Sequence, residues 1–295
     1  MRFSSVLPAL LFAIATCVSA QTSPDYTPPV TCTAKLPQPF TAGPQTPQFV
    51  ADRNNAEAPA ILAANCRDYE ASYQLYLRVL NSYPDDASVL LSTALAAVRA
   101  GHDDVAIPLY KRTFQPGAKF TMGAHSALMN IYIRQGRWDD FEAERLAARA
   151  DSVAGKLTMS RDQPFQIEQL RGPQEFFDVY EFATLYGPNH VRVRFDLREE
   201  KDICTEFTPY FDLVASDPSS RDDGAAAAYS LFAFPAPNTQ WLVKTYAKGE
   251  PPYQTVRADV LSAMNTPLTA FKPGAQCRTP APTAGNGGLS ANAAR

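Results

Sequence analysis

"VRAGHDDVAIPLYKR" (98–112) and "IRQGRWDDFEAERLAAR" (133–149) are built on one plan. Each has an Arg two residues before a Gly and an Asp-Asp pair just after it, and Gly101 and Gly136 stand 35 residues apart. A Gly in a helical context marks a turn, because it adopts positive φ without a Cβ penalty. Two acids directly after the turn suit a helix start, where carboxylates meet free N–H groups and the positive end of the dipole. The pair therefore reads as helix–turn–helix, used twice.

A helix–turn–helix unit with a period near 34 resembles the tetratricopeptide repeat. That pattern places a small residue in the second helix, an aromatic four residues later and a Pro eight further on. Ser72, Tyr76 and Pro84 follow it, and Ala106 with Tyr110 repeats it 34 residues later. The small residue lets two helices approach, the aromatic fills the gap to the next pair, and the Pro ends the helix. Three departures stand out. Pro116 arrives early after Tyr110. Phe141 and Arg145 replace the small and aromatic residues in the third unit, as for a terminal unit exposed on one side. Pro59 interrupts the first helix of the first unit. The alternative is a generic Ala-rich helical bundle.

The resemblance implies a concave groove lined by first helices, here 87–100 and 122–135, that takes a protein or peptide partner. Its groove positions fall on Ser92, Leu95 and Arg99, then on Ser126, Asn130 and Arg134. Asn130 and Arg134 lie one turn apart, so they suit a peptide backbone and a carboxylate.

Composition changes on either side of the repeats. The start, "MRFSSVLPALLFAIATCVSA" (1–20), has one basic residue, an apolar run from Val6 to Val18 and a small-x-small site. It reads as a secretory signal peptide cut after Ala20, since the run falls short of the roughly 20 residues of a spanning helix. No later segment is apolar enough to span, so the expectation is an exported protein, periplasmic or extracellular. Residues 21–55 hold seven prolines between 21 and 50 and read as an extended arm. The repeats occupy 56–156, a second domain 157–272, and the small, polar, Gly/Pro-rich stretch 273–295 reads as a disordered tail. Past the signal, Cys32, Cys66, Cys204 and Cys277 remain, with no CxxC. An even count in an exported chain favours disulfides over a metal. Loop closure favours Cys32–Cys66 and Cys204–Cys277 among the three possible pairings.

Seventeen of the 32 aromatic residues lie between 165 and 271, so the second half has its own character. "HVRVRFDLR" (190–198) alternates, with Val191, Val193, Phe195 and Leu197 on one face. "QEFFDVYEF" precedes it across the turn "YGPN" (186–189). "AYSLFAF" and "TQWLVKTYA" flank the turn "PAPN" (235–238). With "QIEQL" and "PYFDLVAS" these make about six hairpin-linked, antiparallel strands. "YQTVRADVLSAM" puts Val256, Val260, Leu261 and Met264 on one face of a closing helix. The fold class is α+β in two domains: a short helical-repeat array, then an antiparallel β domain.

Catalytic patterns do not emerge. His102, His125 and His190 have no partner in sequence, and no HExxH, GxSxG or Walker pattern occurs. Asp85-Asp86, Asp103-Asp104 and Asp139-Asp140 sit at helix starts, and "SDPSSRDDG" (216–224) lacks the alternating carboxylates of a calcium loop. With a net charge of −3 and no Lys/Arg stripe, nucleic acid is not the partner expected. No catalytic residue, metal or cofactor is assigned. The expectation is a non-enzymatic interaction protein. Its rivals are a hydrolase of envelope polymers using two β-domain carboxylates, and a carbohydrate- or lipid-binding β domain with exposed coplanar aromatics.

Overall fold

The computed structural model describes residues 26–114, 121–156, 164–171, 176–182, 191–197, 207–215, 228–247 and 249–265. The leader, the turn at 186–189, the stretch 216–224, Pro116, His190, Cys204, Cys277 and the tail lie outside them. Among the described residues are seven helices and one six-stranded sheet. The helices α1 (Gln48–Asn65), α2 (Tyr69–Ser82), α3 (Ala87–Ala100), α4 (Asp103–Arg112), α5 (Thr121–Arg134) and α6 (Trp138–Val153) come first. Strands β1 (Phe165–Arg171), β2 (Phe176–Phe182), β3 (Arg192–Asp196), β4 (Tyr210–Ala215), β5 (Tyr229–Ala236) and β6 (Thr239–Tyr246) follow, and α7 (Tyr253–Met264) closes the series. The α+β class is as the sequence suggests.

The helical joins share one backbone device. At Gly101 (φ 88°) and Gly136 (φ 67°) the chain turns left-handed. The following N–H groups of His102 and Arg137 return to Ala97 and Tyr132 carbonyls at 2.8 and 2.9 Å. The α1–α2 join does the same at Arg67 (φ 61°), with Asp68 N–H on the Ala63 carbonyl. Left-handed residues thus recur at 67, 101 and 136, closing orphan carbonyls at each helix end. Acids open the next helices: Asp68 accepts from Ala71 N–H, and Asp86 from the N–H groups of Ser88 and Val89.

The chain divides into two compact units, one ending at Tyr83 and one starting at Pro84. In the first, α1 and α2 pack together, and Ser72 Oγ–H donates to the Ala60 carbonyl at 2.9 Å across their contact. The Pro-rich segment is tied back to this pair. Cys32 is bonded to Cys66, Tyr26 O–H donates to Asp68, and the Asn55 amide pairs with both backbone groups of Phe40. Two sequence expectations are corrected here. Helix α1 starts at Gln48, inside the segment read as an arm, and it continues through Pro59 without a break. Pro59 removes one internal N–H, a loss that the packed helix tolerates.

In the second unit the sheet is a meander, β1-β2-β3-β4-β5-β6, with every neighbour antiparallel. Register places Phe165, Glu181, Val193, Leu213, Leu231 and Lys244 in one row across one face, and Val179, Phe195, Phe211, Ala233 and Trp241 in the next. This face receives α6 and α7: Tyr253 packs on Phe141 and Phe195 at 4.8 and 5.9 Å between ring centroids. A bulge at Ile167 brings Glu168 opposite Val179, onto the same face. The aromatic change of character near residue 157 marks helix giving way to strand, yet side chains pair across it throughout.

Candidate functional site

The six groove positions divide in two. Ser126 and Asn130 are occupied by the chain itself. Ser126 Oγ–H donates to the Gln166 carbonyl at 2.6 Å, and Asn130 Oδ1 accepts the Gln169 N–H at 3.0 Å. Asn130 also donates its amide to the Ser126 carbonyl at 2.7 Å. These are the contacts expected of a bound peptide backbone, made to the edge of β1. A polar stripe on α5 thus seals one end of the sheet, where unpaired backbone would invite another strand.

The remaining four positions lie on α3 and at the end of α5. Ser92, Leu95 and Arg99 lie along α3 at spacings of three and four, so they share a face. Leu95 is 43% exposed, a large apolar side chain in the open. Arg134 Nη2 donates to Asp103 Oδ1 at 2.7 Å, with half of the arginine side chain exposed. Arg99 is exposed, and no carboxylate pairs with it among the described residues. Tyr110, buried in α4, joins the two arginines electrically. Burial raises its phenol to about 12, Arg134 and Arg99 oppose that rise, and Asp103 adds to it. Both guanidinium groups and the Asp103 carboxylate thus act on one buried phenol, and Leu95 lies one turn before Arg99.

Other candidates are held in structural roles. His125 is buried between α5 and α6, with Nδ1 2.6 Å from Glu144 Oε1 and its ring stacked on Phe114. Phe141 and Arg145 do not face solvent as terminal-unit residues. Sheet and α7 cover α6, so both are almost fully buried. Arg145 meets Glu181, Glu250 and Glu142, and Arg149 meets Glu181 and Glu250. Burial works against the Arg145 charge, but Glu181 and Glu250 outweigh it and keep the guanidinium protonated. Beside them, Glu168 accepts from Tyr253 O–H and from Arg257 at 2.9 Å. Sequence reading missed this network because its partners are distant in the chain, Arg149 and Glu250 by 101 residues.

On the opposite sheet face, the carboxylates are engaged as well. Asp212 takes Arg192 through both oxygens, Asp196 takes Arg194, and Asp178 accepts from Gln166 and Gln169. Arg194 sits 3.9 Å over Tyr210, whose ring stacks on Phe234 at 4.5 Å. No group of three or more His, Cys, Asp or Glu able to hold a metal occurs among the described residues, and no described helix is long and apolar enough to cross a membrane. No family model, curated protein or solved structure matches the chain.

Proposed function

We propose that this chain is a non-enzymatic, exported interaction protein that captures an acidic segment of a protein partner on the α3–α5 surface. The observation that carries this reading is exposed Leu95 and Arg99 one turn apart on α3, with exposed Arg134 of α5 on Asp103, both arginines acting on the Tyr110 phenol. Arg99 has no carboxylate partner among the described residues, and guanidinium forks pair bidentately with carboxylates. Leu95 adds an apolar contact. Ser126 and Asn130 belong to the scaffold, not to the partner surface. The tetratricopeptide-like repeat supplies the frame, and the disulfide together with the leader supports export.

The test is quantitative capture of proteins from the exported fraction by the mature chain and by the double variant Arg99→Ala, Arg134→Ala. Both side chains are exposed, so the variant should melt with the parent, within about 0.5 kcal/mol. Capture should fall, and the parent's capture should weaken with added salt. Equal capture by both proteins would remove the patch from function, and a large loss of stability would make the arginines structural.

A further inference from the structure

The two edges of the sheet are treated differently. At β1, α5 spends Ser126 and Asn130 on the exposed backbone. At β6, no backbone group pairs with the outer edge among the described residues. Proteins guard such edges with prolines, free charges, bulges or a covering element. Residues 239–246, "TQWLVKTY", hold no Pro and a single charge, Lys244. That lysine does not stand guard: its Nζ lies 2.8 and 3.0 Å from the two Asp259 oxygens of α7. Among the described residues the edge has a bulge at Val243, where β6 carries an extra residue against β5, and the β5–β6 register shifts again between Ala233 and Ala236. Before the bulge, Trp241 is 40% exposed and Leu242 61%. Register places Trp241 opposite Ala233 and Leu242 opposite Phe232, so they project from opposite faces.

We propose that the outer edge of β6 is a strand-addition site for an extended peptide segment of a partner protein. The segment is apolar at two successive positions, one meeting Trp241 and the next Leu242. Backbone pairing supplies the affinity, and the two apolar side chains supply the preference. Size selects a peptide over a second copy of this chain. Eight residues at about 3.4 Å each, on a strip about 10 Å deep, offer roughly 270 Å². A stable interface needs about 800 Å² per partner, which this edge does not reach. The site lies on different elements from Leu95, Arg99 and Arg134, so it stands or falls separately from that surface.

The experiment uses the full mature chain carrying Trp138→Phe, which leaves Trp241 as its single tryptophan. The probe is a blocked octapeptide of Thr, Val and Ile with Val-Ile at its centre. Binding should shift Trp241 emission to the blue and slow amide exchange within 239–246. A twin peptide with alternate amides N-methylated loses several hydrogen bonds and should bind at least about tenfold more weakly. Leu242→Lys, at an exposed position that folding does not need, should weaken the parent peptide similarly. Equal binding of the methylated twin would reduce the site to plain apolar contact and overturn the proposal. So would exchange protection elsewhere in the chain, or no response at millimolar peptide. Concentration-dependent dimers without peptide, abolished by Leu242→Lys, would give the edge to a second copy instead.

Discussion

Arg145 of α6 and Glu181 of β2 meet at 2.9 Å with 2% and 0% of their side chains exposed. Helix and sheet are joined at that point by charge, inside the core. Two arginines and three glutamates share the cluster, and Glu250, just before α7, ties in the closing helix. These groups are expensive to bury and cheap only in company.

Removing one partner should therefore cost far more than removing both. Arg145→Ala takes one of its two arginines from the buried Glu181 and leaves Arg149 alone against Glu181 and Glu250, so the unfolding free energy should drop by about 3 kcal/mol. Arg145→Met combined with Glu181→Leu should recover much of that loss, since apolar replacements of similar size avoid the desolvation cost. Denaturant melts of the three proteins check this. A double variant no better than the single one would show that the charges define the packing.

Asn130 gives a local version. Its side chain bonds the Gln169 N–H, so Asn130→Ala should cost about 1 kcal/mol and speed exchange of that amide. Binding of a partner at Arg99 and Arg134 should be unchanged. If Asn130→Ala left exchange along β1 untouched but abolished capture, the residue would belong to the partner surface after all.

These two cases show what the sequence makes legible. Local signals are read correctly: Gly101 and Gly136 at left-handed turns, Asp86 capping α3 and the alternation in β3; the turn expected over 235–238 is shorter, because β5 runs on through Ala236. Each depends on neighbours within a few residues. Asn130 is also legible as a residue suited to a peptide backbone, together with Arg134, and Ser126 as a groove position for a partner. That the backbone is the chain's own β1 is not, because the contact spans about forty residues and no periodicity encodes it. The same holds for Glu168, whose position on the core face depends on the bulge at Ile167, and for Arg67, which takes a turn conformation usually given to Gly.

The Cys32–Cys66 bond closes a separation of 34 residues in the first unit. By the chain-entropy relation its loss should cost about 4 kcal/mol there. Reduction should speed amide exchange in α1 and α2 while the strands of the second unit keep their protection. Alkylation without reduction should label neither cysteine. Unchanged exchange in α1 after reduction would mean that the helix pair holds without its staple.

Tyr110 sets an alkaline limit. Its phenol titrates at about 12 in the folded chain against an ordinary 10.0, chiefly because burial disfavours phenolate. The folded state therefore holds this proton more tightly than the unfolded state does. Its contribution to stability is complete below pH 10 and is lost as the pH climbs to about 12. By the usual conversion, two units amount to roughly 2–3 kcal/mol. Tyr246, raised by burial and by Asp259, and Tyr253, raised by burial and by Glu168, act in the same sense. Stability should thus be flat with respect to these groups from pH 7 to 9 and fall steeply above 10. Arg99→Ala with Arg134→Ala should push the Tyr110 titration still higher, because both guanidinium groups favour phenolate. A spectrophotometric titration of phenolate absorbance, comparing that double variant with the same protein carrying Tyr110→Phe, isolates the shift. If the double variant instead titrated Tyr110 lower than the parent, the two arginines would not act on it, and the site built on their pairing would be lost.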